Sequence, residues 1–212
     1  MRRAPKAFRL HIGLFGRRNA GKSSLLNAMT RQSVSIVSDV AGTTTDPVEK
    51  PMELLPIGPV LFIDTAGIDD AGTLGSLRPG RTRQIFDRTD VGVIVAEAGR
   101  WGEFEEQIAG ELRQRDVPTI AVFNKADLAG PAPGVVQTLE STGIRWLETV
   151  APEGRGVLAL REALVRAAPE DFINQPPIIS DLVPPGELAI LVVPIDKEAP
   201  KGRLIQPQVQ TI

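Results

Sequence analysis

The stretch GRRNAGKSSLLNA, residues 16–28, decides how this chain is read. Gly16 and Gly21 bracket four residues, and Lys22 and Ser23 follow at once, which is the spacing G-x-x-x-x-G-K-[ST]. Upstream, Leu10–Phe15 (LHIGLF) has the continuous apolar character of a buried strand. Downstream, Leu25, Leu26, Ala28 and Met29 recur at helical spacing. A glycine-bearing turn between a strand and a helix is the setting in which this pattern cradles phosphate. Glycines let the backbone close round an anion with no Cβ in the way. The amides of Arg17, Arg18, Asn19, Ala20, Gly21, Lys22, Ser23 and Ser24 then face inward at a helix N-terminus. Lys22 is expected to reach the β and γ phosphates, and the Ser23 hydroxyl to ligate Mg²⁺. The expected ligand is a nucleoside triphosphate.

The 212 residues suit one full domain and a modest extra piece. A hydrophobic content of 42% is enough for a packed core. The net charge of −2 provides no global field for nucleic acid or membrane, and with no tyrosine and 4% aromatics there is little to stack on bases. Zero cysteines remove disulfides and thiolate-held metals from this chain. Neither a signal-peptide core at the start nor a membrane-length apolar run is present, so the expected location is the cytoplasm.

Short apolar runs then alternate with helical patterns. VSIVSDVAGTTTDPVEK (34–50) reads as a polar, mobile loop, and PMELLPIGPVLFID (51–64) as two strands joined at Ile57–Gly58–Pro59. RTRQIFDRTD is a helix, VGVIVAEA a strand, FEEQIAGELRQR a helix, and PTIAVFNKAD a strand running into a loop. RWLETV and GVLALREALVRAA give a last strand and helix. Alternation of this kind predicts an α/β fold, a mostly parallel sheet with helices on both faces. Ligands of such sheets gather at the carboxyl ends of the strands. After Ala168, residues 169–187 contain five prolines, so 169–186 reads as a connector between a nucleotide-binding domain (8–168) and an incomplete second domain (187–212). The lone apolar strand in that tail, LAILVVPID, cannot bury itself and calls for a partner surface.

Two further strand ends carry chemistry. In LFIDTAG (61–67), Asp64 can hold Mg²⁺ through water and the Gly67 amide can meet the γ-phosphate. In FNKAD (123–127), the Asp127 carboxylate can accept from the N1 and N2 donors of guanine, whereas adenine offers the wrong pattern. AGTTTDP (41–47) offers hydroxyls, Thr44 among them, to complete a Mg²⁺ shell. This ordered set resembles the GTPase domain of the translation-factor-related class, a P-loop NTPase fold. The resemblance implies GTP and GDP as ligands, with Asn124, Lys125 and Asp127 at the base and Lys22, Thr44 and Gly67 at the γ-phosphate.

The resemblance narrows further. GRRNAGKSSLLNA, VSDVAGTTTDPV, PIGPV, DTAGIDDAGTLGSLR and the tail LAILVVPIDKEAPKGRLIQPQVQTI together resemble HydF, the GTPase family that matures iron-only hydrogenase. It implies a nucleotide switch in assembly of the hydrogenase metal cluster, a homodimer, and the hydrogenase and its radical-SAM maturation proteins as partners. HydF proteins hold an iron–sulfur cluster on cysteines of a C-terminal domain, and this chain has no cysteine. A GTPase of ribosome assembly or tRNA modification, and a scaffold whose nucleotide site tunes assembly with little turnover, are the alternatives.

Two positions depart from related GTPases. Val150 and Ala151 stand where a Ser-Ala pair supports guanine, so that contact is expected from backbone. Ile68 stands where Ras-type enzymes carry a water-orienting glutamine, which implies slow hydrolysis or another stabilising group. Asn19 offers one, since in potassium-activated relatives an asparagine here ligates K⁺, with the threonine-rich loop completing the cage. Other conspicuous residues read as ordinary: His11, Trp101 and Trp146 as packing, Arg17 and Arg18 as solvated loop charges, Asp69 and Asp70 as a solvated loop.

Overall fold

The computed structural model describes residues 9–32, 48–65, 79–173 and 187. The chain divides into two units, Met1–Pro169 and Glu170–Ile212. In the first, the order is β1 (Leu10–Phe15), α1 (Lys22–Gln32), β2 (Val48–Leu54), β3 (Gly58–Asp64), α2 (Pro79–Arg88) and β4 (Val91–Glu97). It continues with α3 (Glu103–Arg113), β5 (Thr119–Asn124), α4 (Pro133–Ser141), β6 (Arg145–Thr149), a 3-10 turn at Ala151–Glu153 and α5 (Val157–Ala167). The sheet order is β2-β3-β1-β4-β5-β6. Every neighbouring pair is parallel except β2–β3. The α/β architecture expected from the alternating pattern is thus present. β1 lies between β3 and β4, so the loop that follows it opens where the strand order reverses, the place where α/β sheets bind ligands.

Neighbouring residues of the central strands face opposite layers, as the period of two demands. Phe15, Ile94, Ala96, Ala121 and Phe123 join Ile85 and Phe86 of α2, Ile108, Ala109 and Leu112 of α3, and Leu139 of α4 in one apolar cluster. Phe15 stacks on Phe86 with centroids 4.8 Å apart. α1 and α5 pack against each other, and α5 lies on β5 and β6. Trp101 and Trp146 lie 5.8 and 6.3 Å from the Phe123 ring, so the packing reading of both holds. His11 likewise has a structural place: its Nδ1 is 3.1 Å from the Arg88 carbonyl and its amide donates to Asp90.

Three local readings need correction. The turn between β2 and β3 is Leu55–Pro56–Ile57, with Gly58 and Pro59 already in β3. Gly58 takes φ +95°, and Ile57 is buried, so the apolar residue anchors the turn while glycine absorbs the backbone reversal. Val48–Lys50, read as loop, open β2; Pro51 is tolerated because β2 is an edge strand and needs no second partner. Helix α4 has no counterpart in the sequence reading. Pro133 at its start and Leu139 as its one buried residue are weak signals beside the glycines and prolines around them.

In the second unit, Glu170–Ile173 form one helical turn, α6, inside the stretch read as a connector. Thr44, Gly67, Ile68, Asp69, Asp70 and the rest of the tail apart from Glu187 lie outside the described residues. No helix among the described residues is long and apolar enough to cross a membrane.

Candidate functional site

Residues 16–21 turn sharply between β1 and α1, with Gly16 at φ +142°, Asn19 at +64° and Gly21 at +90°. The glycines are required for a reason the sequence did not disclose. A Cβ on Gly16 would stand 2.1 Å from the Val95 carbonyl oxygen of β4, and one on Gly21 would stand 2.1 Å from Nδ2 of Asn124. The loop is pressed against the protein on its inner side, and this packing, as much as any anion outside, forbids side chains. The turn is closed by Ala20 N–H donating to the Arg17 carbonyl (3.3 Å) and Leu25 N–H to the Gly21 carbonyl (2.8 Å).

Lys22 is buried, and its ammonium donates to the carbonyls of Gly16 and of Arg17, the latter at 2.9 Å. Its charge is therefore held inside the curve of the loop. The first turn of α1 contains no acidic residue, so nothing opposes an anion at its amides. An open cleft of about 880 Å³ lies alongside, lined by Arg17, Arg18, Asn19, Gly21, Lys22, Ser23, Ser24, Glu97, Arg100 and Lys125. Cations outnumber the single carboxylate of this wall, which suits a polyanion.

Asp64, at the end of β3, is buried, with Oδ2 accepting from the Ser23 hydroxyl at 3.0 Å. Its Oδ1 is buried and has no hydrogen-bond partner among the described residues. A hydroxyl and a carboxylate with an unused oxygen, beside an ammonium and a run of amides, fit Mg²⁺. That ion keeps several waters and takes one or two protein oxygens besides phosphate. Among the described residues no cluster of three or more His, Cys, Asp or Glu offers an all-protein cage.

Beyond β5 the site is built on Asn124. Its Nδ2 donates to the Ala20 carbonyl (3.0 Å), and its Oδ1 accepts from Thr149 Oγ1 (3.1 Å) and from the Ala151 amide (3.2 Å). The phosphate-type loop and the 149–151 segment are thereby joined. Thr149 was not found by sequence reasoning; only its place two residues before Ala151 could have marked it. Val150 is buried with its amide given to the Arg155 carbonyl, leaving Ala151 as the residue of the pair turned toward Asn124. Lys125 takes φ +60°, and the Leu128 amide closes a turn onto its carbonyl at 2.9 Å, presenting an exposed Asp127.

Two carboxylates missed in the sequence hold the cations in place. Glu97, at the end of β4, accepts from Lys125 Nζ at 2.5 Å. Glu105 of α3 is nearly fully buried and takes Arg17 in a fork, Nε at 2.8 Å and Nη2 at 3.2 Å. Arg17 is therefore an ion-paired side chain rather than a solvated charge, while Arg18 is exposed.

Comparison with known proteins bears on this geometry. Residues 11–125 match the 50S ribosome-binding GTPase family. The chain belongs to this GTPase family. Residues 178–212 match the hydrogen maturase F dimerization domain, which agrees with the HydF resemblance. GTPase Der of Wolinella succinogenes is 33% identical over 178 residues, 79% of this chain and 37% of that protein. The tRNA modification GTPase MnmE of a Synechococcus strain is 42% identical over 157 residues, 72% of this chain and 32% of that protein. The chain thus spans about a third of the length of each relative. A crystal structure of an Aquifex aeolicus Era variant bound to GDP and AlF₄⁻ superposes with a TM-score of 0.58 at 26% identity, covering 75% of this chain and 56% of that one. Fold, loop and family agree: this is a P-loop GTPase domain.

The Glu97–Lys125 contact has a consequence for acid stability. The hydrogen bond from Lys125 lowers the Glu97 pKa below its ordinary 4.5, against a smaller opposing effect of burial. A carboxylate whose folded pKa is depressed stabilises the fold above the unfolded value and loses that contribution as pH falls through the folded one. Melting temperature should therefore drop more steeply below pH 4.5 in the parent protein than in Glu97→Gln. Parallel melting curves from pH 6 to 3 would show that the pair contributes nothing.

Proposed function

We propose that this GTPase binds and slowly hydrolyses GTP with Mg²⁺, and serves as a nucleotide switch in assembly of the metal cluster of iron-only hydrogenase. The observation that carries the second half is the match of residues 178–212 to the hydrogen maturase F dimerization domain, which also supports a homodimer. The hydrogenase and its radical-SAM maturation proteins are the partners this reading implies.

In this reading the loop amides of Gly16–Ser24 and the Lys22 ammonium take the phosphates, and Ser23 and Asp64 hold the metal, with Thr44 completing its shell. A Mg²⁺ ion held by Ser23 and Asp64 would supply charge neutralisation to the phosphate oxygens. Lys22 donates to the same oxygens, and the Gly67 amide stabilises charge as it grows on the γ-phosphate. Asn124 keeps the phosphate loop and the base loop in register, Lys125 lies beside the base, and Asp127 selects guanine. Val150 and Ala151 offer only backbone to the base edge, and the Ala151 amide itself is given to Asn124 Oδ1. Asn19 is the K⁺ ligand of this scheme: its amide oxygen is suited to a hard cation, and its residue lines the cleft beside Lys22.

The Der and MnmE relatives favour a second reading, a GTPase that works on RNA assemblies. RNA affinity falling steeply with salt would favour it, because phosphate contacts release counterions. Asp127→Asn separates the readings at the level of the switch. It should weaken GTP binding by about 30–150-fold, the loss of a charged hydrogen-bonded pair, and admit xanthosine triphosphate. Hydrogenase activation in a reconstituted maturation mixture should then follow xanthosine triphosphate instead of GTP. Activation that ignores the nucleotide swap contradicts the proposal.

Potassium is tested separately. At equal ionic strength, GTP hydrolysis should run several-fold faster in K⁺ than in Na⁺, and Asn19→Ala should erase the difference. Equal rates in the two salts contradict the assignment of Asn19.

A further inference from the structure

Glu105 has no part in the scheme above, yet its chemistry is unusual for its place. It is a carboxylate only 1% exposed in the first turn of α3. Oε1 accepts from Arg17 Nε at 2.8 Å, and Oε2 accepts from Arg17 Nη2 at 3.2 Å and from the Gly102 amide at 3.0 Å. Arg17 also lies over the Phe104 ring, 5.1 Å from its centroid. The fork is the bidentate geometry that fixes a guanidinium in orientation as well as in distance. Burying the Glu105 carboxylate against a half-exposed Arg17 is a poor way to gain stability, because its desolvation offsets most of the attraction. Its value lies in what the pair holds still.

The object held is the loop itself. The carbonyl of Arg17 accepts Lys22 Nζ at 2.9 Å and the Ala20 amide at 3.3 Å. Arg17 thus carries two ties: its side chain is locked into α3, 88 residues away in sequence, and its backbone organises the ammonium and the turn. We propose that Glu105 is a positioning residue of the phosphate loop, acting through Arg17. The loop then meets a nucleotide already curved, with the N-terminus of α3 as its outer support. This rests on the reading of residues 16–24 as the phosphate site. It goes beyond that reading by naming α3 as the element that sets how long a nucleotide stays.

A loop that must be ordered by each arriving nucleotide loses affinity for GTP and GDP alike, since both bind the same curve. Loss of such uniform binding raises KM and leaves kcat in place. Two variants spare the fold. Glu105→Gln keeps a carbonyl oxygen for the Gly102 amide but cannot hold the charged fork. Arg17→Lys keeps the charge on a half-exposed side chain and loses the planar pair of donors. In the intact protein with Mg²⁺, dissociation of fluorescent GDP should quicken by about tenfold in each variant, the scale of one charged hydrogen-bonded pair. The double variant should be no faster than either single one, because both remove the same link. For Glu105→Gln, KM for GTP should rise with kcat within about twofold.

Release rates and KM equal to those of the parent protein, in variants that melt at the parent temperature, would overturn the proposal. So would effects that multiply in the double variant. A lowered melting temperature with unchanged nucleotide release would make the pair structural and nothing more. Failure of the parent protein to bind GDP at all would overturn the phosphate-site reading and this proposal together. Tight binding by parent and variants alike would remove only the role of Glu105.

Discussion

Asn124 ends β5 with its carboxamide buried among three backbone segments, and the arrangement of the site follows from how that one group is satisfied. Its NH₂ has a carbonyl to donate to, at Ala20, while its oxygen has an amide and a hydroxyl to accept from, at Ala151 and Thr149. No other orientation of the amide satisfies all three partners, so the geometry is unique rather than merely favourable. A buried amide left without partners is penalised well beyond the modest net gain of a made bond. The loop after β1 and the segment after β6 are therefore held in register through a residue on β5. Gly21 completes the constraint, since any Cβ there would occupy the position of Asn124 Nδ2.

Around this node, charges are arranged in pairs that leave the loop cations oriented. Lys22 is turned into the curve by two carbonyls, Lys125 is fixed by Glu97, and Arg17 by Glu105. Lys22 begins α1, Lys125 directly follows β5 and Arg17 lies in the loop after β1, all at the carboxyl edge of the sheet, where parallel α/β folds expose their ligand crevice. The buried and half-used Asp64 carboxylate belongs to the same design. Its second oxygen makes sense as an acceptor for a hydrated divalent ion next to phosphate. Preorganisation of this kind is what allows electrostatics to act on a γ-phosphate without rearrangement.

Much of this was legible in the residues themselves. Local signals sufficed for β1, the loop and α1, because strand, glycine turn and helix are contiguous and each has its own periodicity. Of the motif residues, Asp64 and Asn124 end their strands, and Lys125 and Asp127 follow in the loop after β5. What the sequence concealed depends on register between distant segments. Nothing near Arg17 announces Glu105, and nothing near Lys125 announces Glu97; each pair is made only when β4, α3 and β5 have packed. Thr149 is silent for the same reason. Only the opening of the edge strand β2, Val48–Lys50, escaped, because its charged residues precede Pro51 in a segment that pairs on one side only.

The central claim is that one buried carboxamide holds the nucleotide site together. Replacing Asn124 by alanine removes the clip while leaving the apolar layers intact. Titration of Asn124→Ala with fluorescent GDP, beside its thermal melt, tests this most directly. The account predicts a cooperative melt and a GDP affinity reduced about a hundredfold or more, since up to three hydrogen bonds and the loop register go together. A variant that melts cooperatively and binds GDP within about threefold of the parent protein would contradict it.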